Sequence, residues 1–143
     1  MGTERADAER PERLVMLYDE DCGLCRWITD RVLDWDRRGR VRAAPIQGAE
    51  GDRLLAAIPP ERRIGSMHAV RTDGTLTSAG RAVASVLHEV PLGEPFAWLA
   101  DRAPSLTERL YRLAADHRTC LGGVVGAEAC AVDPQRRRTP PPA

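Results

Sequence analysis

LVMLYDEDCGLCRW, residues 14–27, joins an apolar run to three consecutive acids and then to two cysteines separated by Gly23 and Leu24. The run Leu14 to Tyr18 is short, uninterrupted and ended by charge, which predicts a strand buried on both faces. From Cys25 onward, Ile28, Val32 and Trp35 recur at steps of three and four, with Arg26, Asp30, Arg31, Asp34 and Asp36 mostly between them, until Gly39 breaks the pattern. That spacing predicts an amphipathic helix. The cysteines therefore fall in the turn between a buried strand and the first turn of a helix.

Working outward, RVRAAPIQ (40–47) predicts a second strand ending at Pro45, and GDRLLAAI (51–58) a short helix closed by Pro59 and Pro60. SMHAVRTDGTLTS (66–78) sets Asp73-Gly74 between two stretches of strand character, a hairpin signature. Ser78 is placed to cap a helix running through Leu87, with Ala79, Val83, Val86 and Leu87 on its apolar side. Ser105 and Glu108 have capping-box spacing ahead of Leu106, Leu110 and Leu113, predicting another helix to about Arg118. Strand, helix, strand, helix and then a hairpin make an α/β fold. Trp27, Trp35 and Trp98 are expected in the core.

The chain has 143 residues, of which 43% are hydrophobic, enough for one domain with a real core. Residues 1–13 and 133–143 read as disordered tails, the second carrying Arg136, Arg137 and Arg138, a basic run expected to be solvated; residues 14–132 form the domain. The formal net charge is zero, so no global field draws nucleic acid or an anionic membrane, and small-molecule or protein partners are expected. All 21 basic residues are arginine, which excludes lysine Schiff-base chemistry. MGTERADAERPER lacks the apolar stretch of a secretory signal, and no apolar run approaches membrane-spanning length, so the chain is expected to be cytoplasmic. In a reducing compartment its four cysteines point to catalysis or metal binding before structural disulfides.

Three readings of Cys22 and Cys25 compete: a redox pair, half of a zinc site, and packing alone. The strand-to-helix context favours redox chemistry, because unpaired N–H groups and the positive end of the helix dipole converge there. Cys22, outside the first turn, is the expected attacking sulfur, and Cys25, on the apolar stripe, the resolving one. Gly23 leaves the turn open to an incoming disulfide. A zinc site needs two more ligands; Cys120 and Cys130 are available, yet the ten-residue step in CLGGVVGAEAC is not a zinc knuckle. His68, His88 and His117 lack metal spacing and read as surface or internally satisfied residues.

Asp19, Glu20 and Asp21 oppose the dipole. The dipole contributes about 0.3–1 kcal/mol, and one carboxylate at about 6 Å in an effective dielectric of about 40 opposes by roughly 1.4 kcal/mol. The near-cancellation favours a reductase or exchange role over a powerful oxidant. Asp19 or Asp21 is the candidate to relay a proton to or from Cys25; the alternative is that they cap the helix and its approach loop.

YDEDCGLC resembles the opening signature of the DCC family of predicted thiol-disulfide oxidoreductases, an Asp-x-x-Cys-x-x-Cys motif filled here by Asp19, Cys22 and Cys25. The similarity extends through APIQG, SMHAVRTDG and LYRLAADHR, where Tyr111, Ala115 and Arg118 match the family's spacing, and covers roughly residues 14–132. It implies a thioredoxin-like fold, a central mixed sheet flanked by helices with additional C-terminal helices, and exchange with a protein or low-molecular-weight thiol or disulfide without a cofactor. Glu20 stands where the family commonly has Gly, and SMHAV lacks the preceding proline that thioredoxins usually keep in the cis form. Substrate contact is then expected from Gly65 and Ser66 together with Gly23 and Leu24. Similar chains often carry a cysteine at the place of Cys130, so a second exchange step with Cys120 or the front pair is conceivable. Arg118 is expected to favour a helix terminus or to approach the acidic loop. Two rivals stand beside exchange: a zinc-stabilised binding module using all four cysteines, and a redox-inactive adaptor of the same fold.

Overall fold

The computed structural model of the chain describes residues 10–117. Cys120, Cys130, Arg118, the C-terminal tail and most of the N-terminal one lie outside those residues. The first strand, β1 (Leu14–Tyr18), is buried along its whole length, and its side chains alternate between two cores. Leu14 and Met16 join Val41, Ala69, Ala82, Val86 and Val90 on one face. Val15 and Leu17 join Ala44, Ile46, Leu55 and Val70 on the other. A continuous apolar run is what such two-sided burial requires.

β1 pairs in parallel with β2 (Val41–Pro45) and antiparallel with β3 (His68–Val70), which pairs antiparallel with β4 (Leu76–Ser78). The order β2-β1-β3-β4 is a mixed four-stranded sheet with β1 inside, as a thioredoxin-like fold requires. Pro45 is tolerated because it ends an edge strand, where its missing N–H costs no ladder bond. The hairpin turns where Asp73-Gly74 predicts: Gly74 has φ +85°, and the Asp73 carboxylate accepts the Thr75 N–H at 2.8 Å.

The helix α1 (Gly23–Trp35) starts two residues before the expected Cys25, with Cys22 as its N-cap. Its buried positions are Leu24, Thr29 and Asp30, whereas Ile28 and Trp35 are 39% and 38% exposed. The contact stripe is thus rotated from the one that apolar spacing indicates, with Val32 and Leu33 flanking the core. Asp36 closes the α1-to-β2 turn by accepting the N–H groups of Arg40 at 3.1 Å and Val41 at 2.7 Å.

After β2 come α2 (Ala49–Leu54) and a separate short helix α3 (Pro60–Arg63). The expected helix over 51–58 is therefore shifted, and Pro60 opens α3 at a position where no N–H is needed instead of closing α2. Arg42 and Glu50 form a two-pronged ion pair that ties β2 to α2, and each holds the other ionised, Arg42 raised and Glu50 lowered in pKa.

The next helix, α4 (Gly80–Glu89), is not capped by Ser78, which ends β4 and bonds His68 instead. It is followed by α5 (Glu94–Arg102), unforeseen in the sequence pattern, and α6 (Pro104–Asp116). The capping box at Ser105 does not form, because Pro104 already occupies the first turn. Glu108 reaches across instead, its Oε2 accepting the Gly80 N–H at 3.1 Å. A Cβ on Gly80 would lie 3.2 Å from the Glu108 backbone nitrogen, so a side chain here would press α6 outward by a few tenths of an ångström. His88 bridges α4 to α5 through Asp101 at 2.8 Å and Glu94 at 3.4 Å. Trp98 is 57% exposed and lies under the Arg102 guanidinium at 4.9 Å, and Trp27 is half-buried, so the expectation of three core tryptophans is corrected.

His68 is buried in β3, with one ring nitrogen 2.7 Å from Ser78 Oγ and the other 2.8 Å from the Arg63 carbonyl. Burial holds its pKa below the ordinary value, the Arg63 bond opposing. The unfolded chain protonates near pH 6.5 while the folded chain resists, so stability from neutral His68 is whole above about pH 6.5 and is lost as pH falls. Urea midpoints from pH 7.5 to 5 are expected to fall more for the wild type than for His68→Gln; parallel curves would contradict this.

Candidate active site

The parallel pairing of β1 and β2 brings the C-terminal ends of both strands to one edge, with Tyr18 opposite Pro45 and the Ile46 N–H bonded to the Tyr18 carbonyl at 2.9 Å. The loops that leave these strands therefore meet. Asp19, only 8% exposed, accepts the Asp21 N–H at 3.0 Å and the Gln47 side-chain amide at 2.6 Å through the same Oδ1. The Gln47 carbonyl oxygen in turn accepts the Glu20 N–H at 3.2 Å, and its amide nitrogen lies 3.4 Å from the exposed Asp21 carboxylate. One neutral side chain thus fastens the whole acidic loop.

That loop delivers Cys22 to the N-cap, where its sulfur accepts the Cys25 N–H at 3.3 Å. The Cys25 sulfur stands 2.7 Å from the Cys22 sulfur. A bonded pair has S–S near 2.05 Å, so closure needs a shift of only about 0.7 Å. Neither cysteine is in a disulfide, and both are half-buried. They differ in what they face: Cys25, but not Cys22, lines a cavity of about 530 Å³. Thr29 donates to the Cys25 carbonyl at 2.7 Å, a side-chain bond within α1 that pins this turn.

The cavity lies between α1, the Ile64–Met67 loop and the helices α4, α5 and α6. Asp19, Leu24, Gly65 and Ser66 are on its wall with Cys25; Gly23, Asp21 and Cys22 are not. Tyr111 of α6 crosses to the loop, where its hydroxyl accepts the Met67 N–H at 2.6 Å and bonds the Ser66 side chain. Burial raises the Tyr111 phenol above its ordinary pKa, and charge on Cys25 adds to the effect, so the hydroxyl keeps its proton. Sequence reasoning gave Gln47 no role. Its signal was its place two residues after the proline that ends β2, at the strand ends where ligands gather in open α/β sheets. The wall contributed by α5 was missed with that helix.

Among the described residues, no three histidine, cysteine, aspartate or glutamate side chains converge to hold a metal ion. None of the described helices is long and apolar enough to cross a membrane. A family model described as DCC1-like thiol-disulfide oxidoreductase matches residues 16–124. Comparisons with curated proteins and with solved structures returned no match.

Asp19→Ala would remove the oxygen that Gln47 Nε2 and the Asp21 N–H share and is expected to cost about 1–3 kcal/mol in urea unfolding. Asp21→Ala, at an exposed carboxylate, should stay within about 0.5 kcal/mol. Equal losses would show that Asp19 is not the anchor of this loop.

Proposed function

Since the chain belongs to the DCC1-like thiol-disulfide oxidoreductase family, we propose that it exchanges its Cys22–Cys25 dithiol with the disulfide of a protein or small-molecule partner. The observation that carries this reading is the 2.7 Å separation of two unbridged sulfurs at the N-terminus of α1. Cys22 is the attacking sulfur: it stands at the N-cap of α1, where it accepts the Cys25 N–H. It forms a mixed disulfide with one substrate sulfur and expels the other as a thiolate. Cys25, once deprotonated, attacks Cys22 and releases the second substrate thiolate, leaving a Cys22–Cys25 disulfide. Two electrons pass to the substrate, whose two sulfurs end as thiols. A cellular dithiol then returns the protein to its reduced form.

The proton on Cys25 needs an acceptor before the second step. Asp19, buried on the cavity wall that also carries Cys25, is the group we assign to take it. Asp21 is exposed and off that wall, which leaves it the part of a loop ligand.

Cys25→Ser is expected to stop the reaction at the mixed disulfide, with Cys22 joined to substrate in a reductant-sensitive adduct seen by intact mass. Cys22→Ser should form none. If neither the variant nor the wild type reacts with any disulfide faster than a free dithiol does, the exchange reading falls. In single-turnover experiments Asp19→Asn should slow the second step by roughly tenfold to a hundredfold, at or below the lower end of what positioned proton transfer contributes. Asp21→Asn should behave as the wild type.

A further inference from the structure

We propose, on the basis of the exchange reading above, that this site takes a low-molecular-weight disulfide with an uncharged apolar body, and that the body occupies the cavity beside Cys25. At about 530 Å³ the cavity has the size of a small-molecule site. Polar groups of its wall cluster around Cys25: Thr29 donates to the Cys25 carbonyl, Tyr111 bonds Ser66 and feels charge on Cys25, and Asp19 lies in the loop before the cysteines. Thr107, by contrast, spends its hydroxyl on the Ala100 and Ala103 carbonyls. The wall that α5 and α6 add is mostly aliphatic and aromatic, with Phe96, Leu99, Leu106 and Leu110. A molecule with a reactive sulfur at one end and an apolar body at the other matches this division.

The backbone beside the cavity argues against the alternative, an extended protein segment. Strand addition needs free N–H and C=O groups on the receiving chain. At Met67, which lines the cavity, both are already used inside the molecule: the N–H by the Tyr111 hydroxyl at 2.6 Å, and the carbonyl by the Ala79 N–H at 2.9 Å. The acidic loop of Asp19, Glu20 and Asp21 precedes the sulfurs, so a polyanionic disulfide is repelled. Size, division of polarity, occupied backbone and charge select the same class.

The test measures oxidation of the reduced full chain by dipyridyl disulfide, bis-hydroxyethyl disulfide, oxidised glutathione and a linear peptide disulfide. Each rate is divided by that of the same compound with dithiothreitol, which removes intrinsic reactivity. The apolar dipyridyl compound should exceed the hydroxyethyl one by about tenfold, a discrimination that burial of a few apolar atoms supplies. Glutathione and the peptide should fall lowest. Leu110→Glu, at a rim position 58% exposed and so tolerant of charge, should erase that preference. Tyr111→Phe, which uncovers the Met67 N–H, should raise the peptide's share. Equal normalised rates in the wild type, or a preference unmoved by Leu110→Glu, would overturn the proposal. Failure of the exchange reading itself would look different: none of the four compounds would react faster than with dithiothreitol.

Discussion

Two-sided burial of β1 is the constraint from which the remaining architecture follows. Its side chains are divided between two cores and its backbone is paired on both edges, so no part of the strand is available to solvent. Charge cannot enter such a strand without a partner, and the first charge therefore marks its end. Asp19 is that charge, and the chain must turn there. Because the parallel neighbour β2 ends at the same level, the turn is met by another loop, and Gln47 is at hand to receive it. The helix that follows then begins at a fixed place relative to the sheet, with Cys22 at its N-cap.

The site combines an acidic approach loop with the electropositive end of a helix. The Asp19 carboxylate accepts from an amide side chain and a backbone N–H. Gln47 adds no charge of its own to the site, so its part in this clasp is to fix where the carboxylate stands.

Features written in local pattern were legible in the sequence. The buried strand, the cysteine turn and the Asp73-Gly74 hairpin each depend on residues within a few positions of one another, and each is found where expected. What failed depended on distant partners. Gln47 meets Asp19 across 28 positions, and Glu108 meets Gly80 across the same separation, leaving the local capping box at Ser105 unmade. Periodicity also cannot say which apolar face has something to pack against. Ile28 and Leu110 sit at regular helical spacing yet are 39% and 58% exposed, because the space between α1 and α6 is a cavity and not a core. The short helix α5 carries Pro95 at its start and follows a turn in which Leu92 has φ +61°, and together these mask its pattern.

The cap that Glu108 supplies to α4 bears on how this chain is made. A ribosome adding about 5–20 residues each second leaves Gly80 waiting roughly one to six seconds before Glu108 is even polymerised. Until then this N–H in the first turn of α4 has no side-chain partner within the chain. Completion of the domain thus runs backward along the chain: the last described helix secures one that left the ribosome before it.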